Sequence, residues 1–61
     1  NRVKDYRKGR GLTQEDLASM TGVSRQTIIS IEKNKFTPGL DIALKISQSL
    51  NISIDKLFYF V

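Results

Sequence analysis

The chain contains no cysteine, no histidine and no tryptophan, and it has a single proline. Without cysteine there is no disulfide scaffold, and without His or Cys there is no metal site built on those ligands, so neither a metal nor a cofactor is expected. The same absences remove the commonest nucleophile and base pairs of enzymes. No glycine-rich phosphate loop compensates, and Glu15 and Asp16 are adjacent, about 100° apart on a helix, with no evident cleft between them. An enzyme is therefore not expected. No apolar run approaches the roughly 20 residues that cross a bilayer, and no signal-peptide pattern precedes the first charges. A reducing, cytoplasmic setting fits. At 61 residues the chain is long enough for one domain with a small core. It opens on Asn1 rather than Met, so part of the natural N-terminus is expected to be missing.

Charge is present, and it is unevenly placed. The formal net charge is +4. Arg2, Lys4, Arg7, Lys8 and Arg10 face Asp5 alone in the first eleven residues, while acids and bases balance in the remainder. The pattern is that of a folded domain with one basic end, not a polybasic tail, and its field favours phosphate.

Periodicity predicts helices throughout. Val3, Tyr6 and Arg7 fall at i, i+3 and i+4, and Gly9 and Gly11 can end that helix. Thr13 is suited to cap a second helix starting at Gln14, by accepting from the amide of Asp16. Its inward stripe is Leu17, Ala18 and Thr21, and Gly22 breaks it. Ser24 caps a third helix, which buries Ile28 and Ile31 and carries Arg25 and Glu32 beside that stripe. Gln26, Ile29, Ser30 and Lys33 then share the opposite side. Asn34 to Gly39 reads as a loop leading to a fourth helix, about Leu40 to Leu50, with Leu40, Ala43, Ile46, Ser47 and Leu50 as its core stripe. Ile42 and Leu44 widen its apolar surface. Ser53 is expected to cap a last short helix with Ile54, Leu57 and Phe58 facing in, and the chain ends Tyr59-Phe60-Val61, which can form a short strand.

Two helices joined at Thr-Gly-Val, with Gln14, Leu17, Ala18, Gly22, Val23, Ser24, Ile28 and Ile31 at the spacing a close helix pair needs, form a helix-turn-helix over about residues 14–33. Here the sequence closely resembles the lambda-repressor-like, Cro-type DNA-binding regulators. The resemblance covers nearly the whole chain, including PGLDIALKISQSLNISIDKLF, similar to the family's fourth and fifth helices. It implies an all-α, compact five-helix domain spanning 1–61. It also implies that Arg7 and Glu32, each beside a core stripe, form a structural ion pair. Three positions depart from the commoner pattern: Asp16 for Glu, Thr21 for an apolar residue, and Gly39 for a Ser or Thr cap.

Physical chemistry points the same way. A major groove about 12 Å wide admits one helix, and its base edges are read by paired donors and acceptors or by apolar contact with thymine. Gln26 suits adenine, Arg25 guanine or phosphate, Ser30 is a permissive reader, and Ile29 suits a thymine methyl. These four, Arg25, Gln26, Ile29 and Ser30, are the expected base contacts, matching by position the family's groove-entering half-helix. Backbone contacts are expected from Gln14 and Ser24 at two helix starts and from Lys33, Asn34, Lys35, Phe36 and Thr37 beyond the third helix. The resemblance also suggests that Gln14 packs on Gln26.

These features imply a transcriptional regulator, specifically a repressor on a pseudo-palindromic operator in double-stranded DNA, acting as a homodimer. Ile42, Leu44, Leu57, Phe58, Tyr59, Phe60 and Val61 are candidates for the dimer surface, with the alternative that they close the core. The other class in view is an antitoxin or adaptor that uses the same fold to hold a protein partner.

Overall fold

A computed structural model of the protein describes residues 1–59. Five helices follow in order: α1 Val3–Gly9, α2 Gln14–Thr21, α3 Arg25–Glu32, α4 Leu40–Leu50 and α5 Ile54–Leu57. No strand occurs among the described residues, and Phe60 and Val61 of the expected terminal strand lie outside them.

Each helix boundary has a local chemical cause. The Thr13 hydroxyl accepts from the Asp16 amide at 3.0 Å, while the Asp16 carboxylate accepts from the Thr13 amide at 2.8 Å. The capping box therefore closes with Asp in place of Glu. Ser24 caps α3 by accepting from the Thr27 amide at 3.1 Å, and its hydroxyl also pairs with that of Thr27. At the other ends, α1, α2, α3 and α4 all stop at a left-handed residue: Gly11, Gly22, Asn34 and Asn51. The residue after each returns its amide to a carbonyl five positions back, as Leu12 to Arg7, Val23 to Ala18, Lys35 to Ser30 and Ile52 to Ser47. Gly11 is the terminator of α1; Gly9 is still helical.

The core draws on every helix. Val3, Leu17, Ala18, Ile28, Ile31, Ile46, Leu50 and Leu57 are buried together, and Tyr6, Leu12, Val23, Ile42, Ile52 and Phe58 pack on their rim. α3 lies against α2 and touches α1, while α4 packs across α2, α1 and α5. Thr21, polar at a usually apolar place, is 2% exposed; its hydroxyl donates to the Leu17 carbonyl at 2.8 Å, so no polar atom is stranded.

Four expectations are corrected. Leu40 is 70% exposed, because it is the first residue of α4 and the buried stripe begins one turn later, at Ala43. Ser47 is half-buried, and its hydroxyl donates to the Ile52 carbonyl. Ser53 occupies the cap position of α5 but makes no side-chain cap bond, and Ile54 is only half-buried.

Candidate nucleic-acid interface

Two faces of α3 have opposite characters. Ile28 and Ile31 are fully buried and fix the helix against α2 and the core. Arg25, Gln26 and Lys33 are exposed, and Ile29 and Ser30 half-buried. Alternating burial at 100° steps thus leaves Gln26, Ile29, Ser30 and Lys33 along one accessible strip, with Arg25 at its start. Ser24 ties down the amide of Thr27, while those of Arg25 and Gln26 have no intrahelical acceptor.

The far end of α3 is locked by a buried ion pair. Arg7 Nε donates to Glu32 Oε2 at 2.7 Å and Nη2 to Oε1 at 3.2 Å, while Nη1 donates to the Leu12 carbonyl at 2.8 Å. The two side chains are 7% and 3% exposed. A bidentate fork with its third donor also satisfied is a geometry in which burial of both charges is tolerable. Gln14 joins it: Nε2 donates to Glu32 Oε1 at 3.3 Å. Its partner is therefore Glu32, and no bond to Gln26 forms. The polar cluster links α1, the start of α2 and the end of α3, so the two helix segments expected to touch DNA are held in one frame.

Beyond α3, Lys33, Lys35, Phe36 and Thr37 are all exposed, Phe36 by 44%. Asn34 holds the left-handed turn at φ 59°, and its side-chain oxygen accepts from Asn1 Nδ2 at 2.9 Å. Asn1 Nδ2 also donates to the Ile31 carbonyl at 2.7 Å. Asn1 was not read from the sequence as a site residue; a polar residue just before a helix gives no signal of where, in space, its partner lies.

An open groove of about 350 Å³ lies next to this loop, lined by Asn1, Asn34, Phe36, Thr37, Pro38, Phe58 and Tyr59. Of the expected dimer residues, Tyr59 is 51% exposed, but Ile42 and Phe58 are half-buried against the core and Leu57 is fully buried. Ile42 packs against the core and Leu57 lies in it; among the described residues Met20, Phe36, Leu40, Leu44 and Tyr59 are the exposed large apolar side chains. Phe60 and Val61 fall outside the described residues. Among those described, no cluster of acidic side chains forms a metal-binding set, and no helix is long and apolar enough to cross a membrane.

The family model described as helix-turn-helix matches residues 3–57. The chain belongs to the helix-turn-helix family of transcriptional regulators, in its Cro-type, lambda-repressor-like branch. It is 50% identical to an uncharacterised helix-turn-helix transcriptional regulator of Methanocaldococcus jannaschii, over 98% of this chain and 91% of that one. It is 37% identical to SinR, a helix-turn-helix transcriptional regulator of Bacillus subtilis, over 92% of this chain and 51% of SinR. Among solved structures, the restriction-modification controller protein C.AhdI of Aeromonas hydrophila superposes with a TM-score of 0.87 at 32% identity, covering 93% and 86% of the two chains. A complex of SinR with SinI gives a TM-score of 0.86 at 34% identity, covering 93% of this chain and 56% of the other. The protein is a DNA-binding regulator.

Proposed function

We propose that the whole chain, 1–61, acts as one sequence-specific unit that represses transcription by occupying a pseudo-palindromic operator as a homodimer. The observation that carries this reading is the two-faced α3: isoleucines anchor one side, the Arg7–Glu32–Gln14 cluster locks its end, and Arg25, Gln26, Ile29 and Ser30 remain accessible on the other. In the major groove Gln26 pairs with adenine, Arg25 with guanine, Ile29 meets a thymine methyl and Ser30 reads permissively. Gln14, Ser24, Lys33, Asn34, Lys35, Phe36 and Thr37 take the phosphate backbone and set register. Gln14 does so with one amide hydrogen engaged by Glu32, so its orientation is fixed before DNA arrives.

One unit reads too few base pairs for high selectivity, and two units on half-sites about 34 Å apart supply the rest. The dimer surface in this reading takes in Tyr59 at the groove and the exposed Leu40, with Phe60 and Val61 following in the sequence. The same groove supports a second reading, in which an antitoxin or adaptor uses it for a different protein; the SinR relative was solved with SinI.

Selection of duplexes from a random pool by the purified protein, at physiological salt, tests the proposal. An enriched inverted repeat is the expected result. On that duplex Gln26→Ala should weaken binding by about 1–3 kcal/mol and relax preference at one base step. Enrichment of no motif, with weak binding that vanishes as salt rises, would leave phosphate attraction alone and favour the protein partner.

A further inference from the structure

The basic segment of residues 1–11, which includes α1, lies before α2 and α3 and carries the whole net charge. Its five cations are not equivalent. Arg7 is consumed by Glu32. Arg2 lies 3.6 Å from Asp5 and stacks over the Tyr6 ring at 5.6 Å. Arg10 donates to the Asn51 carbonyl at the C-terminal end of α4, 3.3 Å away. Among the described residues Lys4 and Lys8 alone in this segment have neither an acidic partner nor a hydrogen bond, and both are exposed.

Their direction follows from helix geometry. Lys4 and Lys8 are i, i+4, about 60° and 100° further round α1 than Arg7. Arg7 is the residue that reaches Glu32 and thereby Gln14, so this flank of α1 borders the α2 start and the α3 end. Tyr6, Arg2 and Arg10 occupy the other flank, on the side where the Arg2 amide binds the Leu57 carbonyl of α5 and Arg10 reaches the Asn51 carbonyl at the end of α4. The unpaired cations therefore lie on the flank of α1 next to Arg7, which reaches α3, while Arg2 and Arg10 lie on the flank nearer α4 and α5.

We propose that Lys4 and Lys8 form a second phosphate-binding strip that continues the DNA footprint from Gln14 along α1, positioning the domain without reading bases. The strip rests on the DNA reading above. Lys45 and Lys56, exposed on α4 and α5, serve as charge-matched controls.

The test is the salt dependence of binding to the selected duplex, compared for the wild type, Lys4→Gln/Lys8→Gln and Lys45→Gln/Lys56→Gln. Each lost phosphate contact lowers the slope of log K against log salt by about 0.9, so the α1 double variant should lose about 1.8 and keep its preferred sequence. The control should keep the wild-type slope. Equal slopes in both variants would overturn the strip while leaving the regulator reading intact. A wild type with no sequence preference would instead remove the DNA reading, and the strip with it. Because all four lysines are exposed, the folded state is expected to survive each change, and circular dichroism checks that.

Discussion

Glu32 is the residue on which most of the interface geometry depends. Its carboxylate accepts from both Arg7 and Gln14, so one side chain holds α1, α2 and α3 in relation. Glu32→Gln leaves the Arg7 charge buried without a counter-charge and should cost about 2–3 kcal/mol. That is a large share of the roughly 3–9 kcal/mol expected for a domain of this size, so urea denaturation should show a clearly lowered midpoint. Gln14→Ala removes a neutral donor and should cost no more than about 1.5 kcal/mol. If the two variants lost the same stability, the ranking of ion pair over amide would be wrong. Asp16 gives a pH-dependent counterpart. The Thr13 backbone amide, then its hydroxyl, hold the Asp16 carboxyl below its ordinary value of 3.8. A depressed folded-state value means that the charged cap stabilises at neutral pH, and that this contribution disappears as pH falls through the folded-state value, below 3.8. The stability gap between wild type and Asp16→Ala should accordingly narrow in acid, as followed by thermal melts across that range.

At the scale of the element, the helices are set by what stops them as much as by what they bury. Gly22 sits at φ 73° with open space where a Cβ would stand, so the cost of Gly22→Ala is one of backbone conformation alone, about 1–2 kcal/mol. Asn51 holds a left-handed conformation at φ 52° that glycine adopts more freely, so Asn51→Gly should be neutral or slightly stabilising. Opposite signs in the two melting temperatures would support terminators of the same kind; a destabilised Asn51→Gly would show that the Asn side chain contributes something further. Most of this punctuation was legible. Thr13, Ser24 and Gly22 were found from residue type, since capping is a contact within four residues of chain. Asn34 and Asn51 were not read as terminators, because asparagine serves equally as a loop or surface residue.

For the whole molecule, the exposed apolar side chains are where the proposed homodimer is tested. Leu40 is 70% exposed, so Leu40→Glu removes little buried area and should leave the unfolding midpoint nearly unchanged. If the homodimer uses this surface, the same substitution should shift sedimentation toward the monomer and weaken binding to an inverted repeat far more than to a single half-site. A dimer unaffected by Leu40→Glu would move the contact to the terminal residues or elsewhere. The domain measures 27 × 21 × 19 Å, so a single copy spans less than a half-site separation of about 34 Å, and the proposed pseudo-palindromic operator would take two copies.

The chain by itself determined five helices, their order, the caps at Thr13 and Ser24 and the two-faced third helix, because each depends on residue type at spacings of two to seven positions. It also exposed the fate of histidine- and cysteine-based chemistry through simple absence. Tertiary structure decided which cations were already spent. Arg2 and Asp5, three apart, were in reach of local reasoning, but Arg10 meets Asn51 across forty-one positions and Gln14 meets Glu32 across eighteen. It decided too that Ile42 closes the core while Leu40 stays in water. An apolar residue on a helix carries the same pattern in either case, and only the presence of neighbours at that height settles whether it is buried.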